Sequence, residues 1–294
     1  MNRRVAGFLL RFLLVGAIVA LAVRFARGLD KRAILAALSG ASLPLLVLSA
    51  LGNAPLVWTK ARRMHLLLDG KQPTGRLMAL YFSSYAADNL LMSQAGLGLR
   101  VAWLRLSGLP LATAASAQAV EKAVEALGLA LLAAPALWIP GGPSWLRPTV
   151  LWVSGGAIVA LTVALVALPR VGRLQSLAVG AAPLKQPRVA LEIALLTIAG
   201  WSLEALMVMA TLAGLHLHPP WFAAAAVVLV AVNMAALVPG LPGNLGTFEV
   251  SCSLALAAVG VTTAEAVSFA LVYHALHTIP VTVTGAITQR WLKR

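Results

Sequence analysis

The sequence predicts an all-α polytopic integral membrane protein, and three observations carry that prediction. Of 294 residues, 60% are hydrophobic and only 11% are charged, well short of the roughly 25% charge of soluble domains. Apolar runs of about 20 residues, long enough to cross a hydrocarbon core of roughly 30 Å as a helix, recur along the chain. Short segments punctuated by Pro, Gly and basic residues separate them. Cys252 is the only cysteine, which excludes an intramolecular disulfide and a Cys-rich metal site, and no cofactor is expected. The formal charge of +14 falls mostly in the short segments, where topology and anionic lipid account for it better than nucleic acid does.

The elements follow in chain order. Residues 5–23, preceded by Met1-Asn2-Arg3-Arg4, imitate a signal peptide with a cleavage-like Ala20-Leu21-Ala22. The stretch is longer than a usual signal core and more apolar spans follow it, so it is read as a retained first span. Further spans are predicted at 33–58, 77–93, 112–139, 148–169, 189–214, 220–238, 247–260 and 263–288. Not all of these need cross, giving about seven to nine hydrophobic segments in one domain over residues 1–294. The segments 60–76 (Lys60, Arg62, Arg63, Lys71, Arg76) and 170–188 (Arg170, Arg173, Lys185, Arg188), with Arg290, Lys293 and Arg294, are expected on the cytoplasmic side, together with both termini. Loops 140–145 and 216–220 carry no Lys, Arg, Asp or Glu, which suits the opposite side. The basic segment 24–32 should face outward and runs against the pattern.

Two interruptions stand out. If segments 60–76 and 170–188 share a side, an even number of crossings separates them, yet three spans are predicted there. A re-entrant hairpin over Tyr81–Arg105, turning around Gln94, Ala95 and Gly96, restores the parity, and broken backbone at membrane depth requires a protein-lined or water-filled cavity. The second break is Leu237-Val238-Pro239-Gly240-Leu241-Pro242-Gly243-Asn244-Leu245-Gly246, through which no regular helix can run. Asn89 precedes Gly96-Leu97-Gly98 and Arg100, as Asn233 precedes Gly243-Asn244-Leu245-Gly246 and Glu249. This points to repeat halves at about 33–139 and 189–288 joined by the basic linker 170–188. Paired interrupted helices in two halves mark a transporter binding site.

Ionisable residues concentrate near these breaks. Asp88, Arg100, Glu121, Glu125, Glu204 and Glu249 lie in or beside apolar spans, where each costs about 2.5 to 3.5 kcal/mol on insertion scales. Glu121 and Glu125 share a helix face and repel unless a cation lies between them. Arg100 is the candidate cation, with Lys122 or Arg105 in reach. Two readings stay open: Arg100 holds an anionic lipid head group, helped by the half-helix starting near Leu245, or it forms a fixed pair with Asp88, Glu121 or Glu249. His274 and His277, three apart beside Tyr273, would suit a metal or proton relay on one face, though no carboxylate pattern completes a site. His216 and His218 flank a wet loop. Trp145, Trp152, Trp201 and Trp221 fall near span ends, as membrane-interface anchors do. Segment 170–188 either gathers anionic lipid or serves as a topology signal alone.

At the two breaks the sequence resembles the lysylphosphatidylglycerol synthetase/flippase transmembrane family. The most specific match is Pro239-Gly240-Leu241-Pro242-Gly243-Asn244-Leu245-Gly246-Thr247-Phe248-Glu249, with Asn244 standing where a second Gly is usual. Supporting matches are Asn89 through Gly96 to Arg100, and Glu121-Lys122 with Gly128, where Lys122 replaces an Arg. The resemblance implies translocation of an anionic or aminoacylated phospholipid, a hopanoid or a polyprenyl-linked lipid in a bacterial cytoplasmic membrane. It also implies no synthase activity, because the family's aminoacyl transfer resides in a separate soluble domain. The expected ligand set is Asp88, Asn89, Arg100, Glu121, Lys122, Glu125, Pro239, Gly243, Asn244, Gly246 and Glu249, with membrane lipid as partner and a homo-oligomer as a further option. An ion-coupled small-solute transporter or channel, and an enzyme or accessory subunit of a lipid-modifying system, are the competing readings. A lateral opening wide enough for lipid would separate the first from the flippase, and a reactive pair facing a closed pocket would favour the second. No Walker loop, zinc-binding helix or hydrolase nucleophile elbow is present.

Overall fold

The periodic apolar runs form helices wherever Pro, Gly and the interruptions permit, and all regular structure among the described residues is helical. The computed structural model describes residues 32, 39–91, 94–138, 142–172, 175–237 and 241–293. The expected span at 5–23 lies outside the described residues, as do Pro239 and most of the segment 24–32.

In chain order the long elements are α1 (Leu43–Leu51), α2 (Asn53–Leu67), α3 (Thr74–Leu90), α4 (Ala95–Leu106), α5 (Leu111–Ala133), α6 (Leu146–Thr162), α7 (Pro187–Gly214), α8 (Trp221–Ala235), α9 (Thr247–Ala257) and α10 (Thr263–Thr288). Three helical stretches among the described residues are long and apolar enough to cross a membrane: Leu146–Arg170, Pro187–Gly214 and Thr263–Leu292. By contrast α4 has 12 residues and α9 has 11, which at about 1.5 Å per residue gives roughly 18 and 17 Å, half the depth of a bilayer core.

Both interruptions are reversals of the chain. Between α3 and α4 the backbone turns at Gln94, which adopts a left-handed conformation (φ 75°). Asp88 stabilises this reversal by accepting the Gly96 N–H at 2.7 Å, and a methyl at position 96 would run into the Ser84 carbonyl and the Asp88 carboxylate. Between α8 and α9, Gly243, Asn244 and Gly246 all have positive φ, a combination that needs glycine or asparagine. Here Glu249 accepts the Gly246 N–H at 2.7 Å. The tips of the hairpins touch: Gln94 Nε2 donates to the Ala236 carbonyl at 2.9 Å, and Gly243 packs against Asn89.

The helix frame around them is closely packed through small residues, as membrane bundles require. Gly285 of α10 abuts the Phe82 carbonyl of α3, Gly128 of α5 abuts Thr197 and Trp201 of α7, and Gly52 abuts Met207. Pro280 lies within α10 and removes the N–H that the Leu276 carbonyl would accept. Asn53 of α2 supplies the missing donor, its Nδ2 reaching Leu276 O at 3.0 Å.

Two expectations are corrected. Residues 60–67 are not loop, because α2 continues through Lys60, Arg62 and Arg63, and carboxylates of α5 and α7 neutralise its buried basic face. The segment 170–188 is a packed connection rather than an open linker. It carries short helical turns at Gln175–Ala178 and Val179–Lys185, with Ala181 and Pro183 buried and Gly180 pressed against Ser116 and Ala117 of α5.

Candidate functional site

Two apolar clusters make up the interior. One joins Leu129, Trp201, Val208, Leu229, Leu256, Phe269 and Tyr273, and the other joins Val57, Met64, Leu80, Tyr81, Leu104 and Val120. On the seam between them lies a cavity of about 270 Å³. It draws walls from both clusters, including Leu56, Leu229 and Tyr273 on one side and Val57 and Val281 on the other. Its polar lining comes from every hairpin and crossing helix nearby. Lys60 arises from α2, Tyr85, Asp88 and Asn89 from α3, Arg100 from α4 and Lys122 and Glu125 from α5. Glu204 comes from α7, Asn233 from α8, and His274 and His277 from α10, while Gly243 and Asn244 bring the second break to its edge.

In the cavity wall and directly behind it the charges are matched in a network. The Arg63 guanidinium, 2% exposed, donates to Glu125 at 2.7 Å, Glu121 at 3.3 Å and Thr197 Oγ1 at 3.2 Å. Lys60 Nζ lies 2.8 Å from Glu125 and 3.6 Å from Glu204. Lys122 reaches the other oxygen of Glu125 at 3.0 Å. Tyr81 donates its hydroxyl to Glu121. Three cations thus converge on Glu125, and the repulsion expected between Glu121 and Glu125 is relieved by Arg63 rather than by Arg100.

Arg100 is buried, 4% exposed, in a different environment. Its guanidinium lies over the rings of Tyr81 at 5.0 Å and Tyr85 at 6.0 Å. Its Nη1 donates to Ser84 Oγ at 3.5 Å, and its Nε has no hydrogen-bond partner among the described residues. No carboxylate oxygen of the described residues comes within 4.0 Å of it. The expected counter-charges are engaged elsewhere. Glu121 and Glu125 hold Arg63, Glu249 holds His274 at 2.6 Å, and Asp88 caps the turn of its own hairpin.

Of the residues expected from sequence, Asp88, Asn89, Arg100, Lys122, Glu125, Gly243 and Asn244 meet at the cavity wall. Glu121, Gly246 and Glu249 stand one layer behind. Asn89 also ties α3 to α10 through Thr282 Oγ1 at 2.8 Å. The α9 N-terminus is not an open anion site at Gly246, because the Glu249 carboxylate takes that N–H. Trp201 is not an interface anchor: it is buried, lines the cavity and donates to the Glu125 carbonyl at 2.9 Å. Trp145, Trp152 and Trp221 are exposed, as anchors would be. Lys60 and Arg63 were missing from the sequence-derived site. Their spacing of three places them on one helix face, which is the signal that could have found them.

The chain matches the model of the family described as lysylphosphatidylglycerol synthase TM region over residues 8–285. No curated protein matches it.

Proposed function

We propose that this chain, which belongs to the lysylphosphatidylglycerol synthase transmembrane family, translocates a lipid with an anionic head group across the bacterial cytoplasmic membrane. The head group passes through the cavity and the acyl tails stay in the bilayer. The cavity, about 270 Å³, has a lining rich in charged and polar side chains, which suits a head group better than acyl chains. The two hairpins act as re-entrant elements whose tips meet at the cavity. Membership of the family and the apolar helices make this a membrane protein of lipid chemistry.

The observation that carries the reading is Arg100. A buried cation with aromatic rings and one serine hydroxyl around it, and every nearby carboxylate engaged elsewhere, is suited to a ligand that brings its own negative charge. A guanidinium binds phosphate oxygens through parallel N–H donors. Purified protein in phosphatidylcholine vesicles containing fluorescently labelled phosphatidylglycerol tests this, with dithionite quenching to count lipid reaching the outer leaflet. A charge-assisted hydrogen bond worth about 1.5 to 3 kcal/mol predicts that Arg100→Gln slows translocation roughly 10- to 100-fold. The variant should keep its folded helix content, since no carboxylate is stranded by the change. Wild-type translocation by Arg100→Gln would overturn the proposal.

A further inference from the structure

The Glu249 carboxylate joins two elements. One oxygen accepts the Gly246 N–H that starts α9, and the other meets His274 Nδ1 of α10 at 2.6 Å. His274 is buried, stacked on Phe248 with ring centroids 4.3 Å apart, and lines the cavity. An imidazole whose Nδ1–H donates to a carboxylate presents Nε2 as its lone pair, the site at which it takes up a proton.

The charges facing His274 decide what such a proton would do. From α2 comes Lys60, from α3 Asp88 and Tyr85, from α4 Arg100, from α5 Lys122 and Glu125, and from α7 Glu204. On α10 itself stand Tyr273 and His277, the latter with Nδ1 unpartnered among the described residues. Arg63, Glu121 and Glu249 lie one layer out. Lys60, Arg63, Arg100 and Lys122 supply four cations, and Asp88, Glu121, Glu125, Glu204 and Glu249 supply five carboxylates. The assembly therefore carries one formal negative charge in excess while His274 is neutral, and an entering phosphate doubles that excess. A proton on His274 cancels the charge the phosphate brings, leaving an imidazolium against Glu249.

Building on the head-group reading above, we propose that His274 is the proton-binding site of the cavity, so that an anionic head group binds together with one proton. The proton joins Nε2 from water as the head group enters and returns to water as it leaves, with no other bond made or broken. Translocation is then linked to the proton gradient.

The test uses the full chain in detergent and dihexanoyl-phosphatidylglycerol as a soluble probe, with binding followed by tryptophan fluorescence from pH 5.5 to 8.5. Affinity is complete at low pH and falls by about tenfold per pH unit where the one linked proton has to be taken up from solution. His274→Gln, which keeps an N–H toward Glu249, should bind the probe with a flat profile, and His218→Gln should keep the wild-type slope. A flat wild-type profile, a slope retained in His274→Gln, or a slope lost in His218→Gln overturns the inference while leaving head-group binding intact. Absence of probe binding by the wild type at every pH overturns the head-group reading and this inference with it.

Discussion

Replacing Arg63 by Gln should strand one specific carboxylate, and the structure says which. Arg63 lies 3.3 Å from Glu121 and 2.7 Å from Glu125. Glu125 keeps Lys60 and Lys122 after the change. Glu121, 1% exposed, keeps only the Tyr81 hydroxyl, and its second oxygen is already without a partner among the described residues. With an effective dielectric near 20, opposite charges at the Arg63 to Glu121 distance attract by about 5 kcal/mol, close to the roughly 3 to 5 kcal/mol lost when one member of a buried pair is removed. Arg63→Gln should thus destabilise the fold by about 3 to 5 kcal/mol, read as a lowered denaturation midpoint in detergent. Adding Glu121→Gln should restore most of the loss, whereas adding Glu125→Gln should not. A loss under about 1 kcal/mol, the range of an exposed pair, or equal rescue by both second changes would refute the account of the network.

Gly96→Leu should disrupt the first hairpin through collision with the Ser84 carbonyl and Asp88, at about 1 to 3 kcal/mol or more for overpacking. Gly98→Ala, with nothing within 4 Å of the added methyl, should be neutral or stabilising by up to about 1 kcal/mol. Thermal unfolding of the purified variants separates the two. Gly243 has φ 65°, so Gly243→Ala should cost about 1 to 2 kcal/mol of left-handed strain, checked by the same unfolding measurement, and Gly243→Leu should reduce translocation further by crowding Asn89. A cysteine at position 71 on a Cys252→Ala background should be labelled from the cytoplasmic side only, as membrane-impermeant maleimide in intact cells and in inverted vesicles would reveal.

Most helices of the fold were legible in the sequence because lipid imposes length and polarity on them. The expected span 189–214 became α7, Pro187–Gly214, and 263–288 became α10, Thr263–Thr288. Both breaks were legible too, the second because Pro and Gly leave the helix few ways to continue and the first through the parity of the basic segments, and Gln94 and Gly243 mark the turns. The expected span 33–58 was drawn too short at its end, since α2 runs on to Leu67. Lys60 and Arg63 were read as the start of a loop, because the rule that places basic residues at the membrane surface weighs each residue alone. The structure weighs them against Glu121, Glu125 and Glu204, which no local pattern places beside them. The same blindness to distant partners assigned Arg100 a carboxylate and Trp201 an interface. His274 and Glu249, 25 positions apart, form a pair that spacing on a single helix could not show.

The ion network also bears on how the chain enters the membrane. Lys60 finds Glu125 65 residues later and Arg63 finds Glu121 58 residues later. At translation rates of about 5 to 20 residues per second, α2 waits roughly 3 to 13 s before α5 exists to neutralise it. Lys60 and Arg63 meanwhile each carry an insertion cost of about 2.5 to 3.5 kcal/mol at the bilayer centre. Joint insertion of α2 and α5 would spare that cost, because each supplies the other's counter-charge.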